Sequence, residues 1–195
     1  MDMASRKRLS PEDWVEAGLT ALTTRGPDAV AVEPLAAALG ATKGSGYWHF
    51  ANRQALLSAV LERWYQAFTV HIIDHVEEAG GSPAERLGRL LAIVSTSAVD
   101  SPAELLVIGS RDATIRAAVA KSVTTRIAYI EQLLRAAGVS RPDARSRALL
   151  AYSAYLGHAT LAATTPQVLP RSPADRRRMQ RGLMRLALPD ADADA

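Results

Sequence analysis

At 195 residues with 48% hydrophobic side chains, the chain can bury a real core, and its length suits a small part joined to a larger one. The absence of cysteine excludes disulfides, thiolate metal ligands and thiol redox chemistry. No apolar run approaches the roughly 18 residues a membrane span needs, and the net charge of +3 does not by itself mark a nucleic-acid surface.

Charge is unevenly placed. Over residues 1–53, Arg6, Lys7, Arg8, Arg25, Lys43 and Arg53 are balanced by Asp2, Glu12, Asp13, Glu16, Asp28 and Glu33. Near the far end Arg171, Arg176, Arg177, Arg178, Arg181 and Arg185 face only Asp175. The start MDMASRKRLS has no apolar segment of the secretory kind, so the expected location is the cytoplasm.

In chain order, residues 1–9 fit equally a basic arm that reaches a groove and a solvated tail. Ser10-Pro11-Glu12-Asp13 then opens a helix: a capping hydroxyl, proline in the first helical position and acids in the first turn. Val15, Leu19 and Leu22 form its apolar stripe, Trp14 widens it into the core, and Gly26-Pro27 ends it.

From Val32 to Leu57 the chain reads VEPLAAALGATKGSGYWHFANRQALL, which predicts a short helix ending at Leu39, a sharp turn over Gly40-Ala41-Thr42, and a second short helix capped by Thr42 and ending near His49. Asn52 caps a third. The middle helix crowds Lys43, Ser45, Tyr47, Trp48 and His49 into one and a half turns, content poor for a core and suited to phosphates and base edges. These residues resemble the DNA-binding segment of the TetR family of bacterial transcriptional regulators, whose usual form is I-A-x-x-x-G-V-S-K-G-T-L-Y-x-H-F-x-S-K-E-A-L. The resemblance implies that Lys43 and Tyr47 contact phosphate, that Thr42, Ser45 and Trp48 lie at the groove, and that His49 and Arg53 hold the flanking backbone.

Three positions depart from that pattern. Ala31 stands where a capping hydroxyl is common, at a cost of about 1 kcal/mol. Glu33 stands where a basic or polar residue often meets phosphate, which puts a DNA contact there in doubt. Gly46 replaces the usual apolar residue; with Gly44 it should weaken the helix by about 1 kcal/mol per glycine, leaving it partly unformed without DNA.

Beyond Asn52 no break signal occurs before Ala79-Gly80-Gly81-Ser82-Pro83. Leu57, Leu61, Trp64, Phe68, Ile72 and Val76 recur at three or four, predicting one amphipathic connector of roughly 26 residues. Further helices are predicted from Pro83 to about Val99, from Asp100-Ser101-Pro102 to near Gly109, from about Asp112 to Ala137, from Pro142 to Thr164 and from Ser172 to Leu188. The expected fold is therefore all-α, with about nine helices. A three-helix helix-turn-helix domain over residues 1–55 is joined by a long helix to a ligand-binding and dimerisation domain over residues 56–189, and a disordered acidic tail over 190–195 follows.

Between Ala144 and Leu161 small or apolar residues fall on nearly every face, which calls for cover on two sides and points to a homodimer built on this helix and the last one, like the family's four-helix interface. The arginine cluster reads as a solvated or partner-pairing face. Trp64, Tyr65, Phe68, Tyr129, Tyr152, Tyr155 and His158, with Ser95, Thr96 and Ser97 as donors, are candidates for lining a pocket for a mostly apolar small molecule.

Catalysis finds little support. His71 and His75 stand four apart on a helix, with Asp74 between them, yet no HExxH pattern accompanies them, and P-loop, GxSxG and GxGxxG motifs are missing. No metal, cofactor or enzymatic activity is expected. The reading is a dimeric regulator, a repressor that binds a palindromic double-stranded operator and is released by a small effector. Its rivals are an effector-independent regulator of the same fold and a helical small-molecule binding protein or enzyme that does not bind DNA.

Overall fold

The computed structural model describes residues 9–100, with side chains through residue 94, and residues 107–188. The arginine-lysine arm, the side chains of the proposed donors Ser95, Thr96 and Ser97, the start of the short helix at Ser101-Pro102 and the acidic tail lie outside what is described.

Every regular element among the described residues is helical. Helix α1 spans Pro11–Arg25, α2 Val32–Ala38, α3 Lys43–His49 and α4 Arg53–Tyr65. A π-helical turn over Gln66–Val70 leads directly into α5, His71–Glu78. Then come α6, Pro83–Asp100, α7, Ala113–Ala136, α8, Arg141–Thr164, and α9, Pro173–Ala187. Of the short helix expected to end near Gly109, Val107 and Ile108 are described, and both are helical.

The caps read from the sequence are made. Ser10 Oγ accepts from the Asp13 amide at 3.3 Å while Asp13 Oδ2 accepts from the Ser10 amide at 2.7 Å, a reciprocal box that fixes the start of α1. Thr42 and Asn52 cap α3 and α4, each accepting from one backbone amide, and Ser140 and Ser172, which the sequence reading does not single out as caps, do the same for α8 and α9. Helix α2 begins at Ala31 with no side-chain cap, and the turn after it places Gly40 at φ 62°, a conformation that a side chain would strain.

Two apolar cores form. Trp14, Leu22, Leu35, Leu56, Leu57, Val60, Leu61 and Trp64 gather α1 to α4 around one centre, joined by Val107 and by Ile115 of α7. Val76, Leu87, Leu91, Ile130, Leu133, Leu134, Ala144 and Ala148 form the other, between α5, α6, α7 and α8. The run from Arg53 to Glu78 links them.

That run departs from the uninterrupted α-helix the sequence predicts. Its π-turn sits where Thr69, buried on the apolar stripe, bonds Ser122 Oγ of α7 at 2.7 Å. Arg126 of α7 donates through Nε to Thr69 Oγ1 at 3.1 Å and through Nη2 to the Phe68 carbonyl at 2.9 Å. A π-turn widens the helix and leaves a backbone group without its usual partner; here a side chain from the neighbouring helix supplies hydrogen bonds.

Candidate nucleic-acid interface and inner cavity

Helix α3 is held from one side only. Gly46 and Phe50 turn inward, and at Gly46 an added methyl would lie 2.7 Å from Val32 Cγ1 and 2.8 Å from Trp14 Cη2, so the glycine makes room for the indole of α1. The opposite side bears Thr42, Lys43, Tyr47 and Trp48, all exposed, with Tyr47 at 48% and Trp48 at 68% of full accessibility. An exposed indole on a helix this short contributes nothing to a core; it is a side chain presented outward.

Ser45, His49 and Arg53 are half-buried. His49 Nε2 donates to the Leu9 carbonyl at 3.0 Å, anchoring the chain just before α1, and Arg53 Nη2 donates to the Pro27 carbonyl at 3.0 Å in the α1–α2 link. Both side chains tie flanking segments to α3 and α4, so they shape the surface as well as border it.

Glu33 of α2 stands beside this surface. Its carboxylate accepts from Tyr47 Oη at 3.3 Å and lies 3.7 Å from Lys43 Nζ. The negative charge of Glu33, chiefly, holds the Tyr47 phenol above its ordinary pKa.

A second feature lies in the larger part, where an apolar cavity of about 60 Å³ opens between the π-turn, α5, α6, α7 and α8. Of the seven side chains singled out in the sequence, Phe68, Tyr129, Tyr152 and Tyr155 line it, while Trp64, Tyr65 and His158 are not among its described walls. Trp64 belongs to the first core, and Tyr65 packs beneath Lys121, whose Nζ lies 3.9 Å above the ring. The sequence reading missed the aliphatic walls Ile72, Leu90, Leu91, Val94 and Ile130, and it missed Arg126, the one charged side chain among the described walls. The apolar walls carry only the helical periodicity common to any core. Arg126 could have been noticed as a cation on an otherwise apolar stripe with Ile127 and Ile130.

Beside the cavity Tyr129 Oη donates to Glu77 Oε1 at 2.5 Å, and Arg86 Nη1 lies 2.5 Å from Glu77 Oε2. The bond from Tyr129 and then the Arg86 guanidinium hold the Glu77 carboxyl below its usual range, while burial and then Glu77 push the Tyr129 phenol well up. Among the described residues no group of three or more metal-ligating acids and histidines is gathered, and His71 and His75 are exposed. No helix among them is long and apolar enough to cross a membrane.

Residues 15–60 match the sequence profile of the bacterial regulatory proteins of the tetR family. No curated protein matches the chain by sequence. Among solved structures, the TetR transcriptional regulator from Legionella pneumophila superimposes with TM-score 0.71 at 15% identity, over 94% of this chain and 97% of that one. The reduced form of E. coli NemR gives 0.70 at 19%, over 89% and 94%, and Bacillus subtilis FadR in complex with stearoyl-CoA gives 0.66 at 12%, over 92% and 98%. At such identities the likeness is one of fold.

Proposed function

We propose that this chain, a member of the TetR family of bacterial transcriptional regulators, is a ligand-responsive repressor whose residues 1–55 bind a palindromic operator and whose residues 56–189 dimerise and take up a small, mostly apolar effector. The observation that carries the reading is the one-sidedness of α3: Gly46 and Phe50 lock it onto the core while Thr42, Lys43, Tyr47 and Trp48 face outward together. Lys43 and Tyr47 suit phosphates, and Thr42, Ser45 and Trp48 suit base edges and thymine methyls. As few cations serve this surface, binding should be modest off the operator and fall with added salt.

In a dimer, two copies of α3 would enter successive major grooves about 34 to 36 Å apart. Release needs an effector that prefers the arrangement with the wrong spacing, and a hundredfold preference is worth about 2.7 kcal/mol. The inner cavity supports this coupling, because Phe68 and Thr69 of the connector's π-turn line it together with Arg126 of α7, which hydrogen-bonds both. Nothing in this scheme requires bond-making chemistry, so the protein is read as a binding protein rather than an enzyme, acting in the cytoplasm where its DNA would be.

One observation favours a second reading. A cavity of about 60 Å³ is far below the roughly 300 Å³ at which ligand pockets begin; either it expands around an effector or the protein represses without one. A gel shift on DNA flanking the protein's own gene, followed by footprinting, tests the DNA reading, and failure to shift that DNA or any other duplex would sink it. Titrating candidate apolar ligands into the complex separates the effector-driven form from the other.

A further inference from the structure

We infer that Glu33 limits the affinity of this protein for every duplex, by holding the two phosphate-directed side chains of α3 against a carboxylate that must itself approach the DNA. The inference rests on the DNA-binding reading above. Its physical content is the triangle of Tyr47 Oη, Lys43 Nζ and the Glu33 carboxylate, with 3.3 Å on one side and 3.7 Å on another.

All three groups are exposed, so the contact is not a means of burying charge; the Lys43 and Glu33 side chains retain 69% and 47% of their accessibility. An exposed pair of this kind adds little to folding. Its effect falls on binding. If Lys43 and Tyr47 meet phosphate, Glu33 is brought within a few ångströms of the same phosphate, well inside the screening length of about 8 to 10 Å at ordinary salt. The carboxylate competes for the ammonium and the phenol, and it repels the phosphate they would hold. A surface with as many acids as bases through residue 53 has little spare cation to absorb that opposition. Since phosphate contacts carry no base information, Glu33 acts on all sequences alike and leaves the choice of operator to the groove-facing side chains.

Glu33 also lies in the first turn of α2, where an acid favours the helix. Its removal should therefore lower the stability of the free protein slightly while raising affinity, and a merely structural role would move both downward. The test compares the unmodified protein with Glu33→Gln and Glu33→Ala, using two labelled duplexes, the DNA flanking the protein's own gene and one of unrelated mixed sequence, at about 50 and 200 mM salt. The expected result is a gain of about tenfold on both duplexes, an unchanged ratio between them, and a salt slope steeper by about one counterion. Glu33→Asp, which keeps the charge, should stay near the unmodified protein. A gain of less than twofold in both neutral variants, or a loss of affinity, overturns the role of Glu33 while leaving DNA binding intact. Failure of the unmodified protein to bind either duplex overturns the DNA-binding reading itself, and this inference with it.

Discussion

Gly44 and Gly46 stand two residues apart on α3, on nearly opposite faces, and meet opposite surroundings. A methyl on Gly44 would find only Thr42 Oγ1, at 3.9 Å, whereas one on Gly46 would press into Val32 and the Trp14 ring. Composition alone treats the two as equal weaknesses in the helix; the structure makes only Gly44 dispensable. Gly44→Ala should therefore stabilise the free protein by about 1 kcal/mol, the helix-propensity difference. Gly46→Ala should instead cost about 1 to 3 kcal/mol through overpacking, despite the same propensity gain. Urea unfolding of the two variants decides the matter, and equal shifts would show that the indole does not need the space. The Tyr129–Glu77 bond makes a prediction in pH. Glu77 has its folded pKa below the ordinary 4.5, so its contribution is complete above that value and is lost as pH falls through the folded one. Tyr129→Phe removes the largest cause of the depression. With the carboxylate side chain 37% accessible, the loss at neutral pH should be about 1 kcal/mol, and it should shrink as pH drops below about 4.5. Melting temperatures of both proteins between pH 3 and 7 would show the curves converging in acid; a constant gap would mean that Glu77 is not the partner that matters.

The connector is the element in which sequence and structure part most. Its apolar stripe through Leu57, Leu61, Trp64 and Phe68 is legible because period and burial agree, and so are the starts of α1, α3 and α4, where Ser10, Thr42 or Asn52 precedes the first turn. The π-turn over Gln66–Val70 is not legible, because what stabilises it comes from α7, more than fifty residues away: Ser122 on Thr69, and Arg126 on Thr69 and the Phe68 carbonyl. The cavity shares that limitation. Its aromatic members stand out as types, but which of them converge depends on helix packing, so Phe68, Tyr129, Tyr152 and Tyr155 meet there while Trp64 serves the other core. Arg126→Met keeps the bulk of the side chain and withdraws its donors from the π-turn. It should destabilise the protein by about 1 to 3 kcal/mol, the cost of leaving buried acceptors short of a partner. If the π-turn carries information between the cores, the same variant should also change amide-exchange protection in residues 53–78 beyond what the drop in global stability explains. Protection altered only in proportion to stability would reduce Arg126 to a packing role.

At the scale of the molecule, the outward side of α8 and α9 is what a single chain leaves unfinished. Ala144, Ala148, Tyr152 and Ala159 of α8 face the core, while Leu149, Leu150 and Leu161 face out, and Leu150 keeps 67% of its accessibility. Leu186 of α9 keeps 73%, beside Arg147, whose Nη1 donates to the Leu186 carbonyl at 2.9 Å and ties the two helices at this edge. The arginines of α9 are exposed as well and leave the apolar strip bordered by charge, the usual arrangement of a contact surface with a polar rim. Covering one such leucine is worth about 1.5 to 3 kcal/mol, and two-fold symmetry would count each twice. Leu150→Glu should therefore split the proposed dimer: a carboxylate replaces the most exposed of these leucines on α8, yet at a site so exposed in the single chain that the fold should lose no more than about 0.5 kcal/mol. Light scattering behind a sizing column would show half the mass, circular dichroism would show the same helix content, and operator binding would fall with the loss of the second recognition helix. Retention of the dimer by Leu150→Glu, or its loss together with the helical signal, would place the subunit contact elsewhere and remove the geometric basis for reading a two-fold operator.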